Sequence, residues 1–279
     1  MTLGILGSMV WDTIEHPDAP VVERWGGICY SLAAAAAALP HGWTLRPILK
    51  VGNDLGDDAR AFLATLPGLD PVTGFATTTR PNNRVRLRYV DRHHRHEFLS
   101  GGVPPWTWDE LAPRLDGVDA LFVNLISGFE LDLGTAARLR AAVPGLLYVD
   151  LHSLLLDVAD GGLRRPRALP DADRWVTAFD VVQVNEPELA LVAGAGAPLD
   201  FARRAVTAGL RAFLVTRGPE GALVIERGDG KVRETALLLE TTWPGSDPTG
   251  CGDVWGATCY IPLVAGDDLP AAARAANRA

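Results

Sequence analysis

The sequence predicts an α/β protein with a mostly parallel sheet that is covered by helices on both faces, together with a second, small sheet. Three observations lead to this prediction. Short apolar runs alternate with longer segments of helical periodicity along most of the 279 residues. The region from Val72 to Leu99 lacks helical periodicity and contains a strictly alternating segment. The chain is 48% hydrophobic, which is enough to bury the core of one large domain.

The predicted strands are short and apolar, as expected of parallel strands buried on both faces. They lie at Leu3–Leu6, Leu45–Val51, Ala120–Ile126, Leu146–Leu151, Val181–Val184 and Ala212–Val215. Most of the intervals between them carry helical spacing, at Gly27–Leu39, Asp54–Leu66, Leu133–Val143, Glu186–Val192 and Phe201–Ala208, and a last helix continues through Ala257–Val264. This alternation predicts parallel strands joined by helices.

The small sheet is predicted from two segments, about 12–25 and 72–100. Arg84–Tyr89 alternates with period two, which places three arginines on one face of a strand and apolar residues on the other. The polar segment Asp12–Arg24 is the candidate partner strand. The arginine face either meets solvent or reaches a phosphate or carboxylate of a ligand.

Composition limits the partners of this chain. It has 26 Lys and Arg against 34 Asp and Glu, a net charge of −8, which argues against nucleic acid or anionic lipid as the partner. Its three cysteines form no CxxC pair, as is usual in a reducing compartment. The N-terminus has no signal-peptide pattern, and no apolar run is as long as a membrane span. We therefore expect a cytoplasmic protein with a small-molecule ligand, without nucleic acid and without membrane.

The stretch DPTGCGDVWGA, Asp247 to Ala257, suggests an anion-binding turn at the start of a helix. Backbone amides of Gly250, Cys251 and Gly252 could point at one anion there, and the helix dipole would favour it. Asp253 follows directly and would repel that anion, unless it takes a proton from a hydroxyl that attacks the anion. Ordinary helix capping is the alternative explanation.

Polar residues also follow several predicted strands, where ligands bind in open parallel sheets. They are Gly7 and Asp12; Asp150 and His152; Asn185 and Glu188; Thr216, Arg217 and Gly218. Asn185 and Glu188 also suit a helix N-cap with an acidic first turn.

Four segments, in order along nearly the whole chain, resemble motifs of the PfkB, or ribokinase-like, family of carbohydrate kinases. DPTGCGD is similar to its DTxGxGD motif, NEPE to NxxE, VTRGPEGALV to VTxGxxG, and GGICYSLAAAAAAL to GGxxxNxA. The resemblance implies a ribokinase-like three-layer sandwich over residues 1–279, with the small sheet inserted as a lid over the sugar. It also implies a possible homodimer that forms through the lid sheet.

The resemblance further implies residue roles. Asp253 would be the general base, with the amides of Gly250, Cys251 and Gly252 as the anion hole for the γ-phosphoryl group. The metal residues for Mg²⁺ would be Asn185 and Glu188. ATP would bind at Thr216, Gly218, Gly221 and Asn277, and the acceptor at Asp12, Gly26, Gly27 and Ser31. A monovalent cation is a further possible cofactor.

The sequence departs from the family pattern at three places. Pro248 stands where Thr is usual, and Ser31 stands where the family often has Asn, which makes the acceptor less certain than the reaction. The chain ends at AAARAANRA, so the C-terminus is expected to be shorter than in the family, with one wall of the adenine pocket missing.

The expected activity is phosphorylation of a hydroxyl on a sugar or sugar-like molecule by ATP. The alternatives are a nucleoside kinase of the same family and a non-catalytic sugar- or nucleotide-binding protein on the same fold. A dehydrogenase would require GxGxxG after the first strand, which is absent. His93, His94 and His96 lack the spacing of a metal site, and Arg164, Arg165 and Arg167 are expected in a solvated loop.

Overall fold

The structure is a computed structural model that describes residues 1–91, 95–241 and 249–279. In chain order the strands are β1 Thr2–Gly7, β2 Met9–Glu15, β3 Val22–Gly27, β4 Thr44–Gly52, β5 Phe75–Thr78, β6 Arg84–Tyr89, β7 Arg95–Ser100, β8 Ala120–Asn124, β9 Leu147–Asp150, β10 Leu156–Val158, β11 Arg164–Pro166, β12 Val181–Asn185, β13 Ala212–Thr216, β14 Ala222–Gly228 and β15 Lys231–Leu237. The helices are α1 Ile28–Ala38, α2 Gly56–Leu63, α3 Trp108–Leu111, α4 Leu133–Ala142, α5 Ala172–Thr177, α6 Glu186–Ala193, α7 Pro198–Ala208, α8 Cys251–Ala265 and α9 Leu269–Ala276.

The main sheet has nine strands in the order β15-β14-β13-β12-β9-β8-β1-β4-β5. Pairing is parallel from β13 to β5 and antiparallel only at β13–β14 and β14–β15. All six predicted strands lie in the parallel part. The carboxyl ends of these strands consequently meet along one edge of the sheet.

Hydrophobic cores lie on both faces of the main sheet. Within β8, Phe122 belongs to the core with α1, α2, α8 and α9, whereas its neighbours Leu121 and Val123 belong to the core with α4 to α7. This alternation follows from the period-two side-chain direction of a strand. The predicted three-layer α/β sandwich is confirmed.

The second sheet has four strands in the order β3-β2-β6-β7. We call it the small sheet. Strand β6 pairs with β2 in parallel and with β7 antiparallel, so the sheet is mixed. The alternating segment behaves as predicted, because Val85 and Leu87 are buried while Arg86 and Arg88 are exposed. Phe75–Thr78, which falls in a segment that the sequence assigned to the small sheet, instead pairs with β4 at the edge of the main sheet.

A hairpin of β10 and β11 connects the small sheet with the main body. Just before β11, Leu163 forms an isolated antiparallel bridge with Phe98 of β7. The hairpin follows the short helical turn His152–Leu155, which continues from β9. The edge of the small sheet is therefore fixed next to the loop that leaves a central strand.

Several expectations concern residues outside the described part of the chain. These are Asp247 and Pro248 of the glycine-rich motif, and His93 and His94 of the basic segment. Across the described residues, no helix combines the length and apolarity needed to cross a membrane.

Candidate active site

Polar residues meet at the carboxyl edge of the parallel sheet. Asn124 ends β8 and is the register partner of Asp150, which ends β9. Asn185 ends β12 and is the partner of Thr216, which ends β13. Parallel pairing therefore brings together four residues that are up to 92 positions apart in sequence.

Helix α8 begins at this edge. Gly250 precedes it with φ of 85°, a left-handed conformation that favours glycine. A Cβ atom at Gly250 would lie 2.7 Å from the ring of Tyr30, so the close approach also requires glycine. The first-turn amides of α8 point away from the helix body, where the helix dipole adds partial positive charge. The glycine-rich turn thus leads directly into a helix N-terminus, and its role in binding an anion stays a prediction.

Asp253 lies in the first turn of α8 and is only 9% exposed. Its Oδ1 accepts a hydrogen bond of 2.7 Å from Nδ2 of Asn124. Burial raises the pKa of Asp253, while the charge of His152 and the bond from Asn124 lower it and the charge of Glu188 raises it further. Asp253 is thus more basic than an ordinary carboxylate, with the amide and the imidazole limiting the rise, and such a group is suited to accept a proton.

A second buried network supports the same helix start. Nε2 of Gln183 donates to Oδ2 of Asp150 at 2.9 Å and to the carbonyl oxygen of Gly252 at 3.1 Å. The hydroxyl of Tyr148 donates to Oε1 of Gln183 at 2.7 Å. Burial, together with the charges of Glu188 and Asp253, raises the pKa of Asp150 well above its ordinary value. The network fixes the glycine-rich turn relative to the central strands.

His152 follows β9 with φ of 33°, which is unusual for a residue with a side chain. Its Nδ1 lies 3.7 Å from Oε1 of Glu188. Desolvation would lower the pKa of His152, but pairing with Glu188 and the charges of Asp253, Glu188 and Asp150 outweigh it and raise the pKa to about 10. Because 44% of the side chain is open to water, solvent screens part of this effect. The site therefore carries a cationic imidazole among three carboxyl groups.

Asn185 and Glu188 form a reciprocal capping box at the start of α6. Oδ1 of Asn185 accepts from the amide of Glu188 at 2.8 Å, and Oε2 of Glu188 accepts from the amide of Asn185 at 2.8 Å. The helix-capping interpretation from the sequence is therefore correct in geometry. Oε1 of Glu188 is left facing His152 and the site edge. Among residues 1–91, 95–241 and 249–279, no group of three or more His, Cys, Asp or Glu is arranged to hold a metal ion.

Thr216 ends β13 and leads into the tight turn Gly218–Glu220, after which Gly221 begins the antiparallel return. The turn is closed by a hydrogen bond from the amide of Gly221 to the carbonyl oxygen of Gly218 at 3.0 Å. Arg217 forms an ion pair of 3.1 Å with Glu186 of α6. The two predicted segments, NEPE and VTRGPEG, are thereby joined at one edge of the site.

Asn277 lies at the far end of α9 and is held on both sides of its amide. Oδ1 accepts from Nε1 of Trp255 at 2.8 Å, and Nδ2 donates to the carbonyl oxygen of Leu237 at 3.1 Å. A pocket of about 160 Å³ lies beside it, lined by Leu237, Leu238, Glu240, Arg274, Asn277 and Arg278. The carbonyl oxygen of Leu237 also packs against Gly221, so this pocket adjoins the glycine turn.

The small sheet contributes Asp12, which is buried on β2. A Cβ atom at Gly26 would lie 1.8 Å from Oδ2 of Asp12, so this carboxylate sits directly over glycine backbone. Gly27 caps α1. Burial, together with the charges of Glu97 and Asp253, raises the pKa of Asp12 to about 7, against the opposing charges of Arg24 and Arg95.

Ser31 is fully buried, although the sequence reasoning assigned it to the acceptor. Its hydroxyl donates to the backbone carbonyl of Asp253 at 3.1 Å and accepts from Asn124 at 3.1 Å. The structure thus brings Ser31 to the general-base candidate and not to the open cleft.

Four residues near the site were missed or misassigned from the sequence. Asn124 and Gln183 occupy strand positions that read as ordinary apolar runs, and a polar residue inside such a run was the available signal. Glu97 carried no signal beyond its place in the basic segment. Arg164, expected in a solvated loop, is instead 1% exposed and paired with Glu97 at 3.0 Å, because the β10–β11 hairpin folds it under the small sheet.

Comparison with known proteins agrees with this architecture. Residues 157–279 match the model of the pfkB family carbohydrate kinases. No curated protein sequence matches the chain.

Solved structures share the fold over almost the full length. A pyrophosphate-dependent kinase of the ribokinase family, complexed with a pyrophosphate analog and myo-inositol, is 17% identical with a TM-score of 0.78, covering 99% of this chain and 92% of that one. Ribokinase from Thermotoga maritima is 15% identical with a TM-score of 0.77, covering 99% and 90%. A nucleoside kinase of Burkholderia thailandensis in complex with inosine is 19% identical with a TM-score of 0.77, covering 100% and 89%.

Proposed function

Because residues 157–279 match the model of the pfkB family carbohydrate kinases and the whole chain has the ribokinase fold, we propose that this protein transfers the γ-phosphoryl group of ATP to a hydroxyl of a sugar or sugar-like compound. The observation that carries the proposal is the setting of Asp253. This buried carboxylate lies in the first turn of α8, beside the amides of the glycine-rich turn, with Asn124 bonded to one of its oxygens.

Asp253 is the proposed general base. It would accept the proton of the acceptor hydroxyl while that oxygen attacks the phosphoryl group. The amides of Gly250, Cys251 and Gly252 would stabilise the charge on the transferring group, and the helix dipole acts in the same direction. His152, as a cation beside Glu188 and Asp253, adds positive charge at the same edge.

ATP is the proposed donor, bound along Thr216, Gly218 and Gly221. The pocket beside Asn277 supports a nucleotide as donor. It adjoins the glycine turn, has apolar and polar lining residues, and has a volume that can accommodate a base ring. Asn277 itself would hold the pocket in shape, since both ends of its amide are already bonded within the protein.

Mg²⁺ is the proposed metal, and the residues present fit a hydrated ion. Mg²⁺ prefers oxygen ligands and keeps several of its waters. Oε1 of Glu188 faces the site edge, 3.7 Å from Nδ1 of His152, whereas Oδ1 of Asn185 is engaged in the capping box. Glu188 would therefore hold the ion through water, with Asn185 fixing the carboxylate. When bound, the ion would neutralise charge on the donor phosphates.

The acceptor side would be formed by Asp12, Gly26 and Gly27, with Ser31 acting indirectly by holding Asn124 and the backbone of Asp253. The small sheet would serve as the lid over this side. The related structures contain myo-inositol in one case and inosine in another, so both compound classes belong in any acceptor screen.

The test is ADP formation from ATP and Mg²⁺ across pentoses, hexoses, inositols, sugar acids, sugar phosphates and nucleosides. Wild type is compared with Asp253→Asn and with Asp267→Asn, an exposed control beyond the other end of α8. We expect turnover with one acceptor class, reduced about 10²- to 10⁴-fold in Asp253→Asn and unchanged in the control.

In a parallel series, pyrophosphate replaces ATP as the donor, and phosphate release is measured. Turnover with pyrophosphate alone would reject ATP as donor while keeping the reaction. No turnover with either donor, with ligand binding retained, would reject the kinase in favour of a binding protein.

A further inference from the structure

Glu97 and Asp12 lie on the same face of the small sheet. In the β2–β6–β7 register, Asp12 pairs with Val85 and Val85 pairs with Leu99, while Glu97 pairs with Leu87. The two acids are therefore separated by one strand and by two residues along it, or roughly 12 Å between backbones. The charge of Glu97 is the largest charge effect on the pKa of Asp12, so the two carboxyl groups are near enough to interact.

Arg164 determines where Glu97 points. Its Nη1 lies 3.0 Å from Oε1 of Glu97, and its side chain is 1% exposed. The same guanidinium donates to three backbone carbonyl oxygens: Ile126 at 3.3 Å, Ser127 at 2.9 Å and Ser153 at 3.4 Å. Those carbonyls follow β8 and β9, the strands that end in Asn124 and Asp150. A rigid, fully enclosed guanidinium thus ties the small sheet to the edge that carries the base.

Both carboxyl groups retain oxygens that could bind a ligand. Within the described part of the chain, Asp12 has no hydrogen-bond partner although it is 4% exposed. Oε1 of Glu97 accepts a hydrogen bond from Arg164. Among the described residues, its Oε2 has no hydrogen-bond partner. The side chain of Glu97 is 24% exposed, so it is accessible from solvent.

Two acids and two arginines surround Asp12, and each arginine is also engaged with a tyrosine ring. From β7 it is faced by Glu97 and Arg95, from β3 by Arg24, and from α8 by Asp253. Arg95 donates to the hydroxyls of Tyr89 at 2.9 Å and Thr249 at 3.2 Å. The guanidinium of Arg24 lies over the ring of Tyr30.

Three carboxyl groups therefore converge on the acceptor side: Asp12, Glu97 and Asp253. Their ionised forms accept hydrogen bonds from hydroxyls and repel anions.

We propose that Glu97 is a second acceptor-binding carboxylate, positioned by Arg164, and that the acceptor is an uncharged polyhydroxy compound whose hydroxyls span Asp12 and Glu97. This inference rests on the proposed function, because it concerns the acceptor half of the same site. Arg164 acts as a positioning residue and does not contact the acceptor.

The kinetic test compares Glu97→Gln with Glu23→Gln, a carboxylate on the opposite face of the small sheet that is bonded to Thr13. In Glu97→Gln the KM for the acceptor should rise about 10- to 100-fold, as for loss of a charge-assisted hydrogen bond, with the KM for ATP unchanged. Arg164→Lys should raise the same KM, because an ammonium cannot reproduce the bonds of the guanidinium. Glu23→Gln should match wild type.

A pH profile separates this role from a merely structural one. The ionised carboxylate of Asp12 accepts acceptor hydroxyls, so acceptor affinity should rise with pH through the Asp12 pKa of about 7. Removing the charge of Glu97 lowers that pKa, so the acid limb in Glu97→Gln should move to lower pH. An acid limb at the same pH in both proteins would overturn the assignment.

Equilibrium binding keeps the inference testable if turnover fails. Calorimetry with ribose, myo-inositol, inosine, gluconate and ribose 5-phosphate is run on Asp253→Asn alone, and on Asp253→Asn combined with Glu97→Gln or Glu23→Gln. Binding of an uncharged compound that is weakened only by Glu97→Gln supports the inference even when the wild type has no kinase activity. Equal binding in all variants, preference for an anionic compound, or binding of none of the three neutral compounds would overturn it.

Discussion

Nδ2 of Asn124 lies 2.7 Å from Oδ1 of Asp253, although the two residues are 129 positions apart in sequence. Asn124 is the last residue of a central strand, and Asp253 is in the first turn of α8. Since both groups are buried, the amide supplies a hydrogen bond that water cannot replace. Strand β8 therefore contributes directly to the protonation state of the proposed base.

Asn124→Ala should shift the acid limb of the pH dependence of kcat/KM to higher pH. Burial already raises the pKa of Asp253, and the amide is one of the groups that lower it again, so its removal raises the pKa further. Turnover at neutral pH should fall and partly recover at higher pH, as measured by ADP release.

Ser31→Ala is the comparison for this change, because it removes the hydroxyl that bonds to Asn124 and to the backbone of Asp253 and retains the amide that bonds to the carboxylate. An equal shift of the acid limb in Ser31→Ala would contradict a direct effect of Asn124.

Gly250→Ala should destabilise the protein by about 2 kcal/mol or more, because an L side chain is strained at φ of 85° and its Cβ would collide with the ring of Tyr30. Gly252→Ala is the matched change inside α8, where a Cβ would meet nothing within 4 Å. It should keep or slightly raise stability, by up to about 1 kcal/mol. It should also slow turnover, because the methyl group enters the space proposed for the phosphoryl group.

Urea unfolding and kcat are measured on both glycine variants. Gly250→Ala with wild-type stability, or Gly252→Ala with wild-type kcat, would argue against the respective half of this prediction.

Asp12→Asn should stabilise the protein near neutral pH. The folded pKa of Asp12 is about 7, above its ordinary value of 3.8, so the folded state binds the proton more tightly than the unfolded state. The stability that this group contributes is full below the ordinary value and is lost as pH rises through about 7. The full difference corresponds to at most about 4 kcal/mol.

Free energies of unfolding between about pH 4 and pH 8 should therefore fall with pH in wild type and fall less in Asp12→Asn. Asp18→Asn, an exposed loop carboxylate, should retain the wild-type slope. Identical slopes in wild type and Asp12→Asn would refute the assignment of this pH dependence to Asp12.

Gln183→Leu should reduce the free energy of unfolding by about 2–4 kcal/mol. The change leaves the hydroxyl of Tyr148 and a carboxyl oxygen of Asp150 buried without this partner. It also releases the carbonyl oxygen of Gly252, so kcat should decrease. Tyr148→Phe, which removes only one bond of the network, should cost about 1 kcal/mol and leave kcat near wild type. Equal unfolding midpoints for the two variants would show that the network does not act as a unit.

Much of the fold could be predicted because buried parallel strands and the intervening helices leave periodic patterns in the chain. The polar residues at the carboxyl ends of those strands could also be predicted, because residues such as Asn185 and Thr216 directly follow an apolar run. The burial of Arg164 could not be predicted from local sequence patterns. Arg165 and Arg167 stand close to it in sequence, which suggested a solvated loop, but the hairpin that folds Arg164 under β7 buries it.

By itself, the sequence determined the layered α/β architecture, the glycine-rich start of α8 and the acid that follows it, because each depends on residues close together in the chain. Only the tertiary structure decided which side chains complete the site. Asn124, Gln183 and Glu97 act through hydrogen bonds to residues between 67 and 129 positions away, at Asp253, Gly252 and Arg164. Such bonds arise from strand order and hairpin placement, which local periodicity does not specify.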